Sequence, residues 1–289
     1  MTDHRALFDT ALVRSRREKC RQSADFPDFL DCHVARDIAG RLAMIDRKFN
    51  RCLVAGAASG TFAEILRQTG KLTTLIAPPV AADPGHGDLA VRFDEEFLPF
   101  AEKSLDCVIA APGLELVNDL PGALIQIRRA LRPDGLFIAA MLAGDSLHEL
   151  RQAWLMAETE LKGGASLRVI PFADVRQSGN LLQRAGFALG VSDIETVKVR
   201  YQDGLALMRE LKAMGLANPL ARRSRTPVTR TLLAKACAIY DGMFKEPDGK
   251  VAATFQINYL TGWAPHESQQ KPLKPGSAKM RLADALKPV

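Results

Sequence analysis

Three sets of residues in this chain carry groups able to do chemistry. The first is Gly56-Ala57-Ala58-Ser59-Gly60, which follows the apolar run Cys52-Leu53-Val54-Ala55 and precedes a helical pattern reaching about Thr69. A strand that feeds a glycine-rich turn and then a helix N-terminus lets backbone N–H groups approach a ligand closely. An ordinary strand-to-helix turn has the same composition. The second set is Asp94-Glu95-Glu96, ahead of Phe97-Leu98-Pro99-Phe100. It closes a short apolar run, and in parallel sheets the carboxyl ends of strands are where ligands bind. A turn or helix cap is the plainer role for Asp94. The third is Glu115, in Gly113-Leu114-Glu115-Leu116. It could serve as a base, bind a cationic substrate, or stand solvated or ion-paired at a pocket mouth. His4, His33, His86, His148 and His266 are scattered. Neither a Ser-His-Asp arrangement nor a two-His-one-carboxylate iron set is evident.

The elements that must position these groups alternate. Leu30, Val34, Ile38, Leu42 and Ile45 mark one apolar helix face ahead of the strand at Cys52. Strands are expected at Leu72 to Ile76, Leu89 to Phe93, Leu105 to Ala111 and Leu136 to Leu142, with a helix from Asp119 to Leu131 stopped by Pro133 and Gly135. Charge-poor apolar runs separated by helices indicate a parallel sheet covered on both faces. Further on, Ser146 to Leu161 reads as a helix capped by Ser146, and Phe172 to Ala185 as one ended by Gly186. A strand from Leu189 to Arg200 follows. Helices from Gly204 to Met214 and from Pro227 to Phe244, the latter capped by Thr226, precede a last strand from Ala252 to Trp263.

These residues resemble class I S-adenosylmethionine-dependent methyltransferases, in which an acid precedes a Leu-Pro-Phe, here Asp94 and Leu98-Pro99-Phe100, and a turn like Leu131-Arg132-Pro133-Asp134-Gly135 precedes the fifth strand. Val117-Asn118-Asp119-Leu120-Pro121, Gly144-Asp145-Ser146-Leu147, Ala157-Glu158-Thr159-Glu160 and His266-Glu267-Ser268-Gln269 are similar to one branch, the methyltransferase-like assembly factors of respiratory complex I and their bacterial relatives. The resemblance runs from Leu7-Phe8-Asp9 to Gly276-Ser277-Ala278. It implies an α/β, Rossmann-like, mostly parallel sheet with an antiparallel edge hairpin. It also implies S-adenosylmethionine as cofactor, with Gly56, Ala58, Gly60, Asp94 and Glu95 at its site and Asp94 accepting from the adenine amino group. Three positions depart from the family pattern: Val54 replaces the leading acid, Ala58 the middle glycine, and Ala77 the acid that holds the ribose. Gly113-Leu114-Glu115-Leu116 stands where relatives often carry Ser-Leu-His-Trp. Hydrogen bonds to a charged group contribute roughly 1.5–3 kcal/mol each, so the expected cofactor dissociation constant is micromolar or poorer unless another acid, with Asp83 the first candidate, supplies the clamp.

The implied organisation is an N-terminal helical segment (1–50), an α/β core (51–202), an inserted helical cap (203–245), the final strand of the core (246–265) and a polar basic tail (266–289). Arg222, Arg223, Arg225 and Arg230 are expected to make the cap's pocket side basic and to steer an acidic or folded protein. Three functions stand open: modification of a protein side chain, with a complex I subunit as partner, during complex I assembly; methylation of a carrier protein as in biotin synthesis; or a non-enzymatic scaffold. One branch member is an arginine hydroxylase, so hydroxylation is implied beside methyl transfer.

Composition narrows the setting. At 47% hydrophobic residues the chain can bury a sizeable core, and no apolar run approaches the roughly 18 residues a membrane span requires. Met1-Thr2-Asp3-His4-Arg5 lacks a secretory apolar core, and five cysteines without paired spacing disfavour a disulfide framework. A cytoplasmic location is the expectation. The net charge of +6 concentrates in Arg14, Arg16, Arg17, Lys19 and Arg21, in Arg222 to Arg230, and in Lys271, Lys274, Lys279 and Arg281. No aromatic residues interleave these clusters as a stacking platform for nucleic acid would require. A solvated basic face is the plain reading.

Overall fold

The computed structural model describes residues 6–56, 59–80 and 87–270. Ala58, Asp83 and the basic positions from Lys271 onward lie outside them. Seven strands form one sheet: β1 (Phe49–Ala55), β2 (Leu72–Ala77), β3 (Leu89–Ala90), β4 (Leu105–Ala110), β5 (Leu131–Leu142), β6 (Ala188–Tyr201) and β7 (Val251–Trp263), in the order β3-β2-β1-β4-β5-β7-β6. The first five pair in parallel, and β7 runs antiparallel between β5 and β6. Helices are α1 (Thr10–Gln22), α2 (Phe29–Ala43), α3 (Gly60–Arg67), α4 (Leu120–Ala130), α5 (His148–Lys162), α6 (Val175–Arg184), α7 (Gly204–Ala213) and α8 (Arg230–Met243).

The period of two along each strand divides the core. Cys52, Val54, Cys107, Ile109, Leu136 and Ile138 pack against α2, α3, α5, α7 and α8. Leu53, Ala55, Val108, Ala110, Phe137 and Ala139 pack against α4 and α6. Both faces being covered, a strand such as β4 is buried at every residue, which is why it reads as an apolar run with Asp106 its one charge. No helix among the described residues is long and apolar enough to cross a membrane.

Four local expectations are corrected. β3 is two residues long rather than reaching Phe93. β5 begins at Leu131 because Leu131 pairs with Leu105, while Arg132–Gly135 bulges before pairing resumes at Cys107 and Leu136. Ser146 caps nothing: its hydroxyl donates to carbonyls at Ala143 and Gln256 and accepts from the Gln256 N–H, tying the loop to β7. α8 starts three residues late, with the Thr229 side chain accepting from the Leu232 N–H, so Pro227 stays in the preceding loop.

Candidate functional site

The strand order reverses between β1 and β4, and in open α/β sheets the crevice outside the carboxyl ends at such a point is where ligands bind. Gly56 leaves β1 there with φ +81°, and a Cβ on it would lie 2.8 Å from the Ala111 carbonyl oxygen after β4. Only glycine fits. Gly60 opens α3, and Ser59 sits at the N-cap position without donating or accepting a capping bond. Its hydroxyl is buried and has no partner among the described residues. Ser59 carries no motif signal beyond lying in the glycine loop, so sequence alone does not single it out.

After β4 the chain passes Pro112 and turns at Gly113, with φ +138°. The Gly113 N–H donates to Glu115 Oε2 at 2.7 Å, which holds Glu115 in a single 3-10 turn, Leu114–Leu116. Glu115 Oε1 is sealed from solvent and unpartnered. Burial pushes its pKa up against the lowering effect of the surrounding N–H groups. The solvated or ion-paired alternative for Glu115 is thereby set aside.

Glu115 instead lines a cavity of about 340 Å³ whose walls are largely apolar, among them Leu142, Leu150, Trp154, Phe172 and Leu211. Exposed Lys212 and Val228 mark its outer side. A second cavity of about 300 Å³ shares Glu115, Leu142 and Phe172 with the first. One wall is fixed by Glu158, which accepts from the Ser166 N–H and hydroxyl at 2.6 and 2.7 Å and from Arg168 Nε at 2.9 Å. Burial alone would raise the pKa of Glu158; these bonds outweigh it and bring it to about 2. Arg168 in turn lies 5.6 Å from the Trp154 ring centroid.

The acidic cluster is divided in its use. Asp94 pairs with Arg14, and its Oδ1 accepts from the Glu96 N–H at 3.0 Å. Glu95, buried, accepts from Arg17 Nη1 at 2.8 Å, and Arg17 Nη2 donates to the Gly113 carbonyl at 2.5 Å. Glu96 accepts from the N–H groups of Asn118 and Asp119, which orients the loop entering α4. Glu95 is thus joined to the turn at Gly113 through Arg17 of α1, and Asp94 to the same helix through Arg14.

The basic clusters are correspondingly less free than a solvated face. Arg14 and Arg17 turn to the acidic segment, and Arg16 donates to the carbonyls of Ala217 and Asn218. Arg223 binds Asp9, the N-cap of α1, at 3.0 Å. Arg222, Arg223 and Arg225 lie in the loop before α8 rather than on a helix; Arg225 in that loop and Arg230 at the first position of α8 are exposed. At the positions that depart from the family pattern, Val54 and Ala77 are buried, and the backbone at Gly87 passes against Ala77. No cluster of side chains able to hold a metal occurs among the described residues.

A sheet in this order with a glycine turn at its reversal point is the class I methyltransferase architecture. A family model described as a methyltransferase domain matches residues 28–190. The chain is 38% identical to a protein of Danio rerio named arginine-hydroxylase NDUFAF5, mitochondrial, covering 97% of this chain and 90% of that one. It is 32% identical to a malonyl-[acyl-carrier protein] O-methyltransferase of Laribacter hongkongensis, over 93% of this chain and 94% of the relative. Among solved structures, the YcgJ protein of Bacillus subtilis aligns with a TM-score of 0.53 at 11% identity, over 81% of this chain and 99% of that chain, a likeness of fold. The chain belongs to the class I methyltransferase family, in the branch that holds the NDUFAF5 arginine hydroxylases and, more distantly, bacterial carrier-protein methyltransferases.

Proposed function

We propose that the chain is a methyltransferase-family enzyme that modifies a protein side chain during assembly of respiratory complex I, with S-adenosylmethionine as its cofactor. The observation that carries the reading is Glu115: an acid on the wall of a largely apolar cavity, two residues beyond the turn at Gly113, with one carboxylate oxygen sealed and without a partner. A buried polar group without a partner costs stability, so a fold that served only as a scaffold would gain by replacing it. Of the charged residues on the cavity wall, Arg168 is paired with Glu158 and Lys212 is exposed at the outer side, which leaves Glu115 as the inner charge; an acid there suits a cationic side chain, as in the substrate named for the arginine hydroxylases, better than the carboxylate of a malonyl group. The carrier-protein reading is therefore disfavoured.

The residues present fit the cofactor in kind. Gly56 allows close backbone approach, the orphan Ser59 hydroxyl offers a donor at the N-terminus of α3, and Asp94 and Glu95 supply acceptors. When bound, the cofactor supplies a methyl group already activated on a sulfonium. Its chemistry then asks the protein mainly for alignment and exclusion of water. Ionised Glu115 would hold a guanidinium or ammonium group by charge-assisted hydrogen bonds and accept its proton. The apolar walls keep water from competing. Residues 203–245 would serve as the cap over this cavity, since Met208, Leu211 and Val228 form part of its wall.

Two measurements test the reading. Calorimetric titration with S-adenosylmethionine and S-adenosylhomocysteine is expected to give micromolar binding, and absence of heat with either would refute the cofactor. A strain lacking the gene is expected to lose assembled complex I without a biotin requirement. Intact complex I together with biotin auxotrophy would return the carrier-protein function.

A further inference from the structure

Arg17 divides the cofactor crevice. On the Asp94 side, between α1 and Arg92–Glu95, lies a cavity of about 370 Å³. On the Gly56 side the space is only about 50 Å³. Arg17 lines both, and its guanidinium spans from Glu95 to the Gly113 carbonyl. The bar is built for this position. Gly113 has φ +138°, and a Cβ there would meet Arg17 Nη2 at 2.6 Å, so the glycine admits the guanidinium. The pair is also largely withdrawn from water, with side-chain exposures of 17% for Arg17 and 10% for Glu95.

A small-molecule site ordinarily needs about 300 Å³ or more, and the 50 Å³ beside Gly56 does not meet that. A molecule with its adenine end near Asp94 and its amino-acid end near Gly56 must cross the place Arg17 occupies. Breaking the Arg17–Glu95 pair without replacement would leave two half-buried charges unpartnered. Replacement by another carboxylate conserves the number of charge-assisted bonds. Resting on the cofactor reading above, we infer that Arg17 is a selectivity bar: it leaves Glu95 and pairs with the α-carboxylate of the incoming cofactor, so that an adenosyl sulfonium or thioether carrying that carboxylate opens the crevice in preference to one without it. Glu95 is released by the same exchange to accept from the ligand. Arg14 stands in the same relation to Asp94, but it is 65% exposed and yields more readily.

The test compares S-adenosylhomocysteine with S-adenosyl-3-thiopropylamine, which keeps the adenosyl thioether and the amine and lacks only the carboxylate. By titration calorimetry on the full chain, the wild type is expected to prefer S-adenosylhomocysteine by roughly thirtyfold, the scale of one or two charge-assisted bonds. In Arg17→Met the two constants should converge to within about threefold. The thiopropylamine should then bind at least as tightly as to the wild type, because the bar is gone. Arg17→Lys keeps the charge and should retain most of the preference; it carries the test if circular dichroism shows that the methionine variant does not fold. Equal weakening of both ligands by Arg17→Met, or loss of the preference in Arg17→Lys, overturns the bar while leaving the cofactor reading in place. No heat from either ligand with wild type or variant refutes the cofactor reading and the bar with it.

Discussion

Gly113 separates two regions that settle their charges in opposite ways. On the side of α1 the crevice is crossed by ion pairs: Asp94 with Arg14, Glu95 with Arg17, and Glu18 with Arg92. On the side of α5 and α7 the cavity is largely apolar, already open at about 340 Å³, and is lined by one acid, Glu115, which has a sealed oxygen without a partner. Paired charges can be exchanged for a ligand's charges at little net cost, so the first region suits a ligand that must be selected and admitted. An apolar cavity with one acid on its wall cannot rearrange cheaply, and suits a group that is shaped and held. The same fold thus places an exchangeable site and a preformed one on either side of a single peptide.

Mutations should separate the two. The largest expected loss is at the cavity wall, where Glu158→Ala leaves buried Arg168 without its carboxylate and should cost about 4 kcal/mol in chemical denaturation. Wild-type stability should also fall on acidification. Glu158 is depressed in the folded state, so its contribution is present above pH 4.5 and is lost as pH falls toward about 2. That slope should be absent in Glu158→Gln. Gly113→Ala forces a Cβ against Arg17 and strains a positive φ, and should cost about 2 kcal/mol while making α1 susceptible to trypsin. Asp9→Ala removes the α1 cap and the partner of Arg223, for about 1 kcal/mol and a similar gain in cleavage.

The smallest effect on stability sharpens the comparison most. Burial holds Glu115 above the ordinary carboxylate range, so the folded state favours its neutral form. Its share of stability is present below pH 4.5 and is lost as pH rises through the folded value. Glu115→Gln should therefore raise the melting temperature at pH 8 and leave it unchanged at pH 4. It should abolish modification of the protein substrate without altering S-adenosylhomocysteine affinity. A changed affinity would mean that the two regions are not independent.

The sheet was legible because β1, β4 and β5 each carry a charge-free apolar run, Cys52 to Ala55, Cys107 to Ala110 and Leu136 to Leu142, a pattern that local composition alone sets. The sequence also marked the turn at Gly56 and the acids at Asp94 and Glu95, since glycine and clustered charge are local signals. It did not show what those acids bind. Arg17 reads as one member of a basic cluster, and its partners Glu95 and Gly113 lie 78 and 96 residues away. Glu115 likewise looks like any loop glutamate until Leu150, Trp154 and Leu211 close over it. Ser146 was misread for the same reason, because its partner Gln256 is 110 residues distant. The start of α8 failed differently: Thr226 and Thr229 are both acceptable caps, and only the course of the chain past Val228 decides between them.

The helix α1 has a consequence for synthesis. Asp9 and Arg16, near the start of the chain, are bound by Arg223 and by the carbonyls of Ala217 and Asn218, about two hundred positions later. Sequence separation of that order delays contact formation, and domains fold as the chain emerges from the ribosome. The first five strands and the loop at Gly113 are therefore complete before the last ties of α1 can form. During biosynthesis α1 can thus be held to the crevice by Asp94, Glu95 and Gly113 before Ala217 to Arg223 emerge to complete its anchoring.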